Sequence, residues 1–349
     1  MLDTYVFAVL PLAFLFTLGM GWLSIRIAYK LNLIDHPGSA PHKQHRTPTP
    51  LAGGIALALT LSTGLLVSGL WREPEVRAIF FPALIVFGIG LWDDARGFSA
   101  TVKFLGQILA TVLLMISGIY VQVFSSFPFS AEWPQWLQNG LNWGLTLLWV
   151  TGITNALNLV DSMDGLAVGL GGLAFGFFTL VSINSQQWFI AHLSALIVGI
   201  CLGLYFLNVS PARLFLGDSG AQTLGFILAV VAILYEPPAT DQASSWFVPI
   251  LLLGVPIFDT MLVLFSRLRH GLPFYKGGLD HTYHRLVAWG LDANRAVLTM
   301  QIAGLLLGCL AFVALSLSPL PANMIFLSCL LTGLIIMIIM DRGKGTPTP

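Results

Sequence analysis

Charge is what this chain has least of. Only 9% of its 349 residues are Asp, Glu, Lys or Arg, against 56% hydrophobic residues, whereas a soluble domain carries about 25% charged residues. A water-soluble globular protein is thereby excluded and a multispanning membrane protein implied. The formal net charge is zero, which removes the electrostatic grounds for nucleic acid as a partner. Cysteine is scarce too. Cys201, Cys309 and Cys329 all stand in apolar stretches, without the spacing of a metal site or a disulfide framework. There is no internal repeat, low-complexity tract or polar stretch long enough for a soluble domain, so a single domain, 1–349, is expected, with 341–349 as a flexible tail. The first apolar run lacks a basic leader and a small-residue cleavage pattern, which points to a retained helix and not a cleaved signal.

What the chain has in abundance is apolar runs. Eleven occur, near 4–29, 51–71, 78–92, 101–124, 141–160, 165–183, 189–208, 220–236, 247–266, 294–315 and 322–340. They reach or approach the roughly 17 to 25 residues that a helix needs to cross a bilayer. The expected fold is all-α, a polytopic membrane protein of about eleven transmembrane helices. With the N-terminus outside, only Arg72 and Arg77 of the 16 Lys and Arg residues fall on the outer face, the asymmetry of the positive-inside rule. The loops 30–50, 93–100, 161–164, 209–219 and 267–293 then face the cytoplasm. The segment 125–136, with Trp133 and Trp136, reads as an outer turn at headgroup level.

Ionised groups at a membrane boundary are expensive and persist mainly where they hold a cation, a proton path or a substrate. Five aspartates sit at inner ends of the expected spans. Asp93 and Asp94 close the third one in GLWDDARGF, where the helix dipole disfavours two carboxylates and calls for a positive partner. Arg96 and Lys103 are the local candidates, a bound metal the remote one. Asn158, Asp161 and Asp164 recur at spacing three, sharing a face if the helix continues that far; a polar hairpin turning at Asp164-Gly165 is the alternative. Asp218, in Gly-Asp-Ser-Gly, is either an N-cap or a hard oxygen ligand suited to magnesium. Asp259 lies deeper in its run and reads as structural.

Two loops carry basic groups. His42, Lys43, His45 and Arg46 precede a Pro-rich turn, which suits phosphate recognition or simply reflects inner-face topology. His281, His284 and Arg285 recur at one-turn spacing; two histidines without a third ligand make a weak zinc site.

Taken in order, TPTPLAGG, GLWDDARGFSATVKFLGQ, NALNLVDSMDG, FLGDSG and DHTYHRL resemble the polyprenyl-phosphate N-acetylhexosamine-1-phosphate transferase family, especially its bacterial branch acting on undecaprenyl phosphate. The likeness spans about residues 35 to 290. It implies transfer of a sugar 1-phosphate, GlcNAc-1-phosphate first among the candidates, from a UDP-sugar to polyprenyl phosphate. UMP would be released and cell-envelope glycan synthesis begun, at the cytoplasmic face of the plasma membrane. The resemblance implies Mg2+, with Mn2+ as a further candidate, and it allows a homodimer. By the same resemblance Asp218 is the principal metal ligand, helped by Asn158. Asp93 and Asp94 lie beside the reacting phosphates, Asp161 and Asp164 line the nucleotide cleft, and Lys103 contacts the donor diphosphate. His281, His284 and Arg285 lie near donor phosphate and sugar. Lys43, His45 and Arg46 join the expected substrate-binding set as basic donors of their loop, independently of the resemblance. Tyr283 stands where many relatives have a histidine. The phospho-N-acetylmuramoyl-pentapeptide transferases are similar in their aspartates but carry a denser histidine cluster ending in an acid, which DHTYHRL lacks. An ion-coupled transporter is the rival of another class; it would place its charges near the midplane and show two similar halves.

Overall fold

Backbone polar groups in lipid must be satisfied within the segment that carries them, so apolar runs of this length become helices. The computed structural model describes residues 6–38, 47–126, 130–237, 245–273 and 278–343. Fourteen α-helices occur among the described residues. They are α1 (Val6–Lys30), α2 (Gly53–Val67), α3 (Pro74–Arg96), α4 (Ala100–Ile116), α5 (Val123–Ser126), α6 (Gln135–Val160), α7 (Leu166–Asn184), α8 (Trp188–Asn208), α9 (Gly217–Leu234), α10 (Val248–Leu252), α11 (Gly254–Arg269), α12 (Thr282–Ala288), α13 (Ala293–Ala314) and α14 (Pro319–Arg342). Eight, namely α1, α3, α6, α7, α8, α9, α13 and α14, are long and apolar enough to cross a membrane, while α2 and α4 are shorter apolar helices. The protein is an all-α, multi-pass membrane protein.

Where the boundaries differ from expectation, local chemistry explains it. Pro74 occupies the first turn of α3, a position where its missing N–H costs nothing, so this helix starts earlier than 78 and runs on through Asp93 and Asp94. The span expected to reach 124 stops at Ile116. Gly118 has φ +89°, and the bonds Ile119 N to Leu114 O at 3.2 Å and Gly118 N to Met115 O at 3.0 Å close it in the Schellman pattern. The run at 247–266 is split at Leu253, just ahead of Pro256, whose ring removes the bond that would have joined the two pieces. Of the segment 341–349, Asp341 and Arg342 complete α14 and Asp341 is buried; residues 344–349 lie outside the described residues.

Helices α8 and α9 form the middle of the bundle, α8 against α1 and α7, α9 against α3 and α6. Helix α14 lies at the periphery, with Leu320, Ile335 and Ile339 exposed. A two-residue ribbon, β1 (Ile34–Asp35) with β2 (Thr49–Pro50), leads the TPTPLAGG segment to Phe215, which Leu51 bridges. Phe215 N donates to Pro50 O at 2.9 Å and Gly54 N to Leu216 O at 3.0 Å. That segment is therefore fastened to the approach of Gly-Asp-Ser-Gly.

Candidate active site

Asp93 and Asp94 are consecutive in the last turn of α3, so they point about 100° apart and reach different partners. Asp93 accepts from the backbone N–H of Phe98 and from Lys103 Nζ at 3.0 Å. Lys103, in the first turn of α4, also donates to Asp218 Oδ2 at 2.5 Å. One ammonium thus bridges two carboxylates 125 positions apart in sequence. Their side chains remain 22% (Lys103), 14% (Asp93) and 28% (Asp218) exposed. Of the two local cations expected to balance the aspartate pair, Lys103 does so; Arg96 instead stacks over the Trp92 ring, 5.0 Å from its centroid.

Asp94 has another task. It accepts from Asp218 N at 2.8 Å, Ser219 N at 3.1 Å and Ser219 Oγ at 2.6 Å. These are the orphan donors of the first turn of α9, and the helix's own N-cap, Leu216, offers no side chain to them. Asp218 is therefore not the N-cap that its sequence setting allowed: a carboxylate from a neighbouring helix caps α9, and Asp218 is left to project from the first turn. The apposition also answers the dipole problem, because the positive end of α9 meets the negative end of α3. It depends on close backbones. A Cβ at Gly90 would lie 2.6 Å from Ser219 Cα, and one at Gly217, already at φ +73°, would lie 2.8 Å from Asp94 Oδ2.

Helix α6 ends at Val160, so Asn158 lies in its last turn while Asp161 and Asp164 stand beyond it. The shared helix face thus extends no further than Asn158, and the hairpin alternative holds. The turn is fastened by Gly165 N to Asn208 Oδ1 at 3.0 Å and Gln301 Nε2 to Gly165 O at 3.0 Å. Burial first, then the charges of Asp218, Asp94 and Asp164, push the Asp161 carboxyl well above its ordinary range. The five aspartates accordingly gather at one end of the bundle.

The histidine motif builds a second cluster. Buried Asp259 of α11 accepts from Thr282 N at 2.6 Å and lies 2.8 Å from His281 Nδ1, so it caps α12 and orients His281. Arg267 grips Asp280 with two bonds of 2.7 Å. Burial alone would raise the Asp280 carboxyl, yet Arg267 holds it below the usual carboxylate range. Tyr283 is buried, its ring 3.9 Å from that of His284. Its hydroxyl meets Ser162, which links this cluster to the turn after α6.

The sequence profile described as Glycosyl transferase family 4 matches residues 76–236. A Bacillus subtilis (strain 168) protein named "Probable undecaprenyl-phosphate N-acetylglucosaminyl 1-phosphate transferase" is 33% identical over 288 residues, 82% of this chain and 79% of that protein. The chain belongs to glycosyl transferase family 4. Another relative, the "Decaprenyl-phosphate N-acetylglucosaminephosphotransferase" of Mycobacterium tuberculosis (strain CDC 1551 / Oshkosh), is 30% identical over 83% of this chain and 77% of that protein. The "Phospho-N-acetylmuramoyl-pentapeptide-transferase" of Levilactobacillus brevis is 31% identical over 60% of this chain and 68% of that protein.

In this family 4 enzyme, then, the residues singled out by sequence fall into three groups. Asp93, Asp94, Lys103 and Asp218 are in direct contact, with Asp161 and Asp164 nearby and Asn158 half-buried in the last turn of α6. Lys43, His45 and Arg46 lie outside the described residues. Arg285 is placed differently from the donor contact expected of it. Its side chain is fully buried, Nε donating to Asp280 O at 2.9 Å and Nη1 to Met340 O at 2.8 Å, with Asp341 Oδ1 at 3.9 Å. With Nε and Nη1 both on backbone carbonyls in the interior, the fully buried guanidinium clamps the start of α12 to the end of α14. Ser219, Gln107, Gln222 and Asn155 went unread in the sequence. The signal for the glutamines was there: Lys103 and Gln107, like Asp218 and Gln222, are four apart in otherwise apolar helices, which puts each amide beneath a charged residue on the same face.

Proposed function

We propose that this enzyme transfers a sugar 1-phosphate, GlcNAc-1-phosphate in the first instance, from a UDP-sugar to undecaprenyl or another polyprenyl phosphate, releasing UMP. The observation that carries the reading is the partly exposed Asp93–Lys103–Asp218 bridge at the N-terminus of α9. A lipid phosphate oxygen attacks the sugar-bearing phosphorus of the donor and the bond to UMP breaks, so one phosphoanhydride replaces another. The nucleophile is already anionic, and the protein's task is to neutralise and align charge. Lys103 supplies a mobile ammonium for the donor diphosphate, and the α9 N-terminus adds backbone dipole.

The donor set fits a divalent cation of the Mg2+ kind, Mn2+ included: hard oxygens from Asp218 and Asn158, amid more carboxylates than Lys103 can balance. Among the described residues no group of three His, Cys, Asp or Glu side chains encloses an ion by itself, and magnesium is commonly held by one or two carboxylates plus substrate phosphates. Bound there, it would neutralise charge on the diphosphate.

The basic-residue asymmetry puts this end of the bundle in the cytoplasm, with the N-terminus outside and the plasma membrane as the setting. In a cysteine-free background, a membrane-impermeant maleimide should label Trp136→Cys in intact cells and not Leu279→Cys; the reverse pattern would sink the orientation. A muramoyl-pentapeptide donor is the second reading, favoured by the Levilactobacillus relative. Purified protein with undecaprenyl phosphate, Mg2+ and labelled donors decides. UMP and lipid product from UDP-GlcNAc support the first reading, product only from the muramoyl-pentapeptide donor supports the second, and no UMP from any UDP-sugar defeats both.

A further inference from the structure

One turn deeper than Lys103 and Asp218, Gln107 of α4 and Gln222 of α9 are each only 1% exposed. A buried amide without partners is costly, and in apolar helices such side chains hydrogen-bond across to neighbouring helices. These two belong to one chain of hydrogen bonds. Asn155 of α6 donates through Nδ2 to Thr151 O at 2.8 Å and to Gln107 Oε1 at 2.6 Å. Gln107 Nε2 donates to Gln222 Oε1 at 2.9 Å, with a longer contact back to Asn155 Oδ1 at 3.3 Å. Gln222 Nε2 then donates to Asp218 Oδ2 at 3.2 Å.

The chain has a direction. The Gln107 and Gln222 carbonyls each accept from the amide behind, and each NH2 points onward to Asp218, so the dipoles align head to tail and polarise one another. Helices α4, α6 and α9 contribute one amide apiece, which ties the first turn of α9 to both neighbours. Asp94 fixes the backbone of Asp218 from one side. The amides fix its side chain from below. Lys103 and Gln222 both bond Oδ2, and neither engages Oδ1.

We propose that Gln222, backed by Gln107 and Asn155, is a positioning residue for Asp218, holding the carboxylate in the one orientation that presents it to a divalent cation and the donor diphosphate. The proposal rests on the transfer reaction proposed above. Groups that orient a metal ligand in this way typically change affinity or activity by about 10- to 100-fold when removed.

The test uses detergent-purified full-length protein and two readouts: UMP release against Mg2+ concentration, and Mn2+ binding followed by electron paramagnetic resonance without any donor. Gln222→Leu keeps the side-chain volume and removes the donor. It should raise the Mg2+ needed for half-maximal turnover and weaken Mn2+ binding, each by about 10- to 100-fold, with the thermal transition retained. Gln107→Leu/Gln222→Leu leaves no orphaned glutamine and should show the same shifts. Either folded variant with a wild-type Mg2+ response and wild-type Mn2+ binding overturns the proposal. Failure of both to fold overturns it as well, by giving the amides a packing role. Wild-type protein that binds Mn2+ but releases no UMP from any UDP-sugar defeats the transfer reading, and the Mn2+ comparison still judges Gln222.

Discussion

Two helix N-termini in this protein are capped by the same device and differ in how open their surroundings are. Asp94 of α3 caps α9, and Asp259 of α11 caps α12; in both a carboxylate from one helix takes the orphan N–H groups of another. Around α9 the charges stay partly open, with Lys103 and Asp218 at 22% and 28% side-chain exposure. Around α12 they are closed in: Arg285 and Asp341 are at 0%, Asp280 at 4% and Asp259 at 0%. A buried, hydrogen-bonded charge pair such as Arg267–Asp280 holds structure together. A half-open bridge can exchange partners. On the transfer reading proposed above, phosphate chemistry belongs to the α9 end, while the α12 end holds His281 in place through Asp259.

The largest effect expected from breaking this division is at Lys103. Lys103→Ala leaves Asp93 and Asp218 facing each other without a cation and removes a donor to the diphosphate. Turnover per folded molecule should fall by about 10²- to 10³-fold, or roughly 2.7–4 kcal/mol. Steady-state UMP release on protein of verified fold checks it, and a loss of folding with normal residual turnover would put Lys103 on the structural side.

Arg285→Ala should do the opposite. It strands the carbonyls of Asp280 and Met340 and removes a second cation near Asp341, whose Oδ2 keeps Arg269; this should cost about 1–3 kcal/mol of stability and lower the midpoint of thermal unfolding. Turnover by the molecules still folded should stay within about tenfold of wild type. A stable variant with a selective rise in KM for the UDP-sugar would return Arg285 to the donor site.

Asp94→Asn is the finer probe. The amide keeps one acceptor for α9 but turns an NH2 toward the donors that Oδ2 now serves, so about 1–2 kcal/mol of cap energy should be lost. Because the cap sets the position of Asp218, the Mg2+ requirement should rise along with the loss of stability. A change in stability alone would separate the cap from the chemistry.

How much of this was legible in the sequence follows from which interactions are local. The helical runs and the five motifs were readable, since hydrophobic pattern and spacing are properties of contiguous chain. The Schellman stop at Gly118 and the break before Pro256 are also local, but an apolar run masks both. Partners were not readable. Asp94 looks like half of an acidic pair until the first turn of α9, 124 residues on, closes over it. Arg285 shares its motif with two histidines, yet it turns inward because Met340, 55 residues later, meets it there. Tyr283 stands where many relatives have a histidine, and its burial against His281 and His284 was not readable from the motif.

Asp218 is where these lines meet: capped by Asp94 from α3, paired by Lys103 from α4 and bonded by Gln222 from below. The decisive measurement is UMP release by Asp218→Ala per folded molecule, with undecaprenyl phosphate, UDP-GlcNAc and saturating Mg2+. The account predicts a loss on the order of a thousandfold or more, about 4 kcal/mol, with the thermal transition within a few degrees of wild type. Turnover within about tenfold of wild type by the folded variant would contradict it.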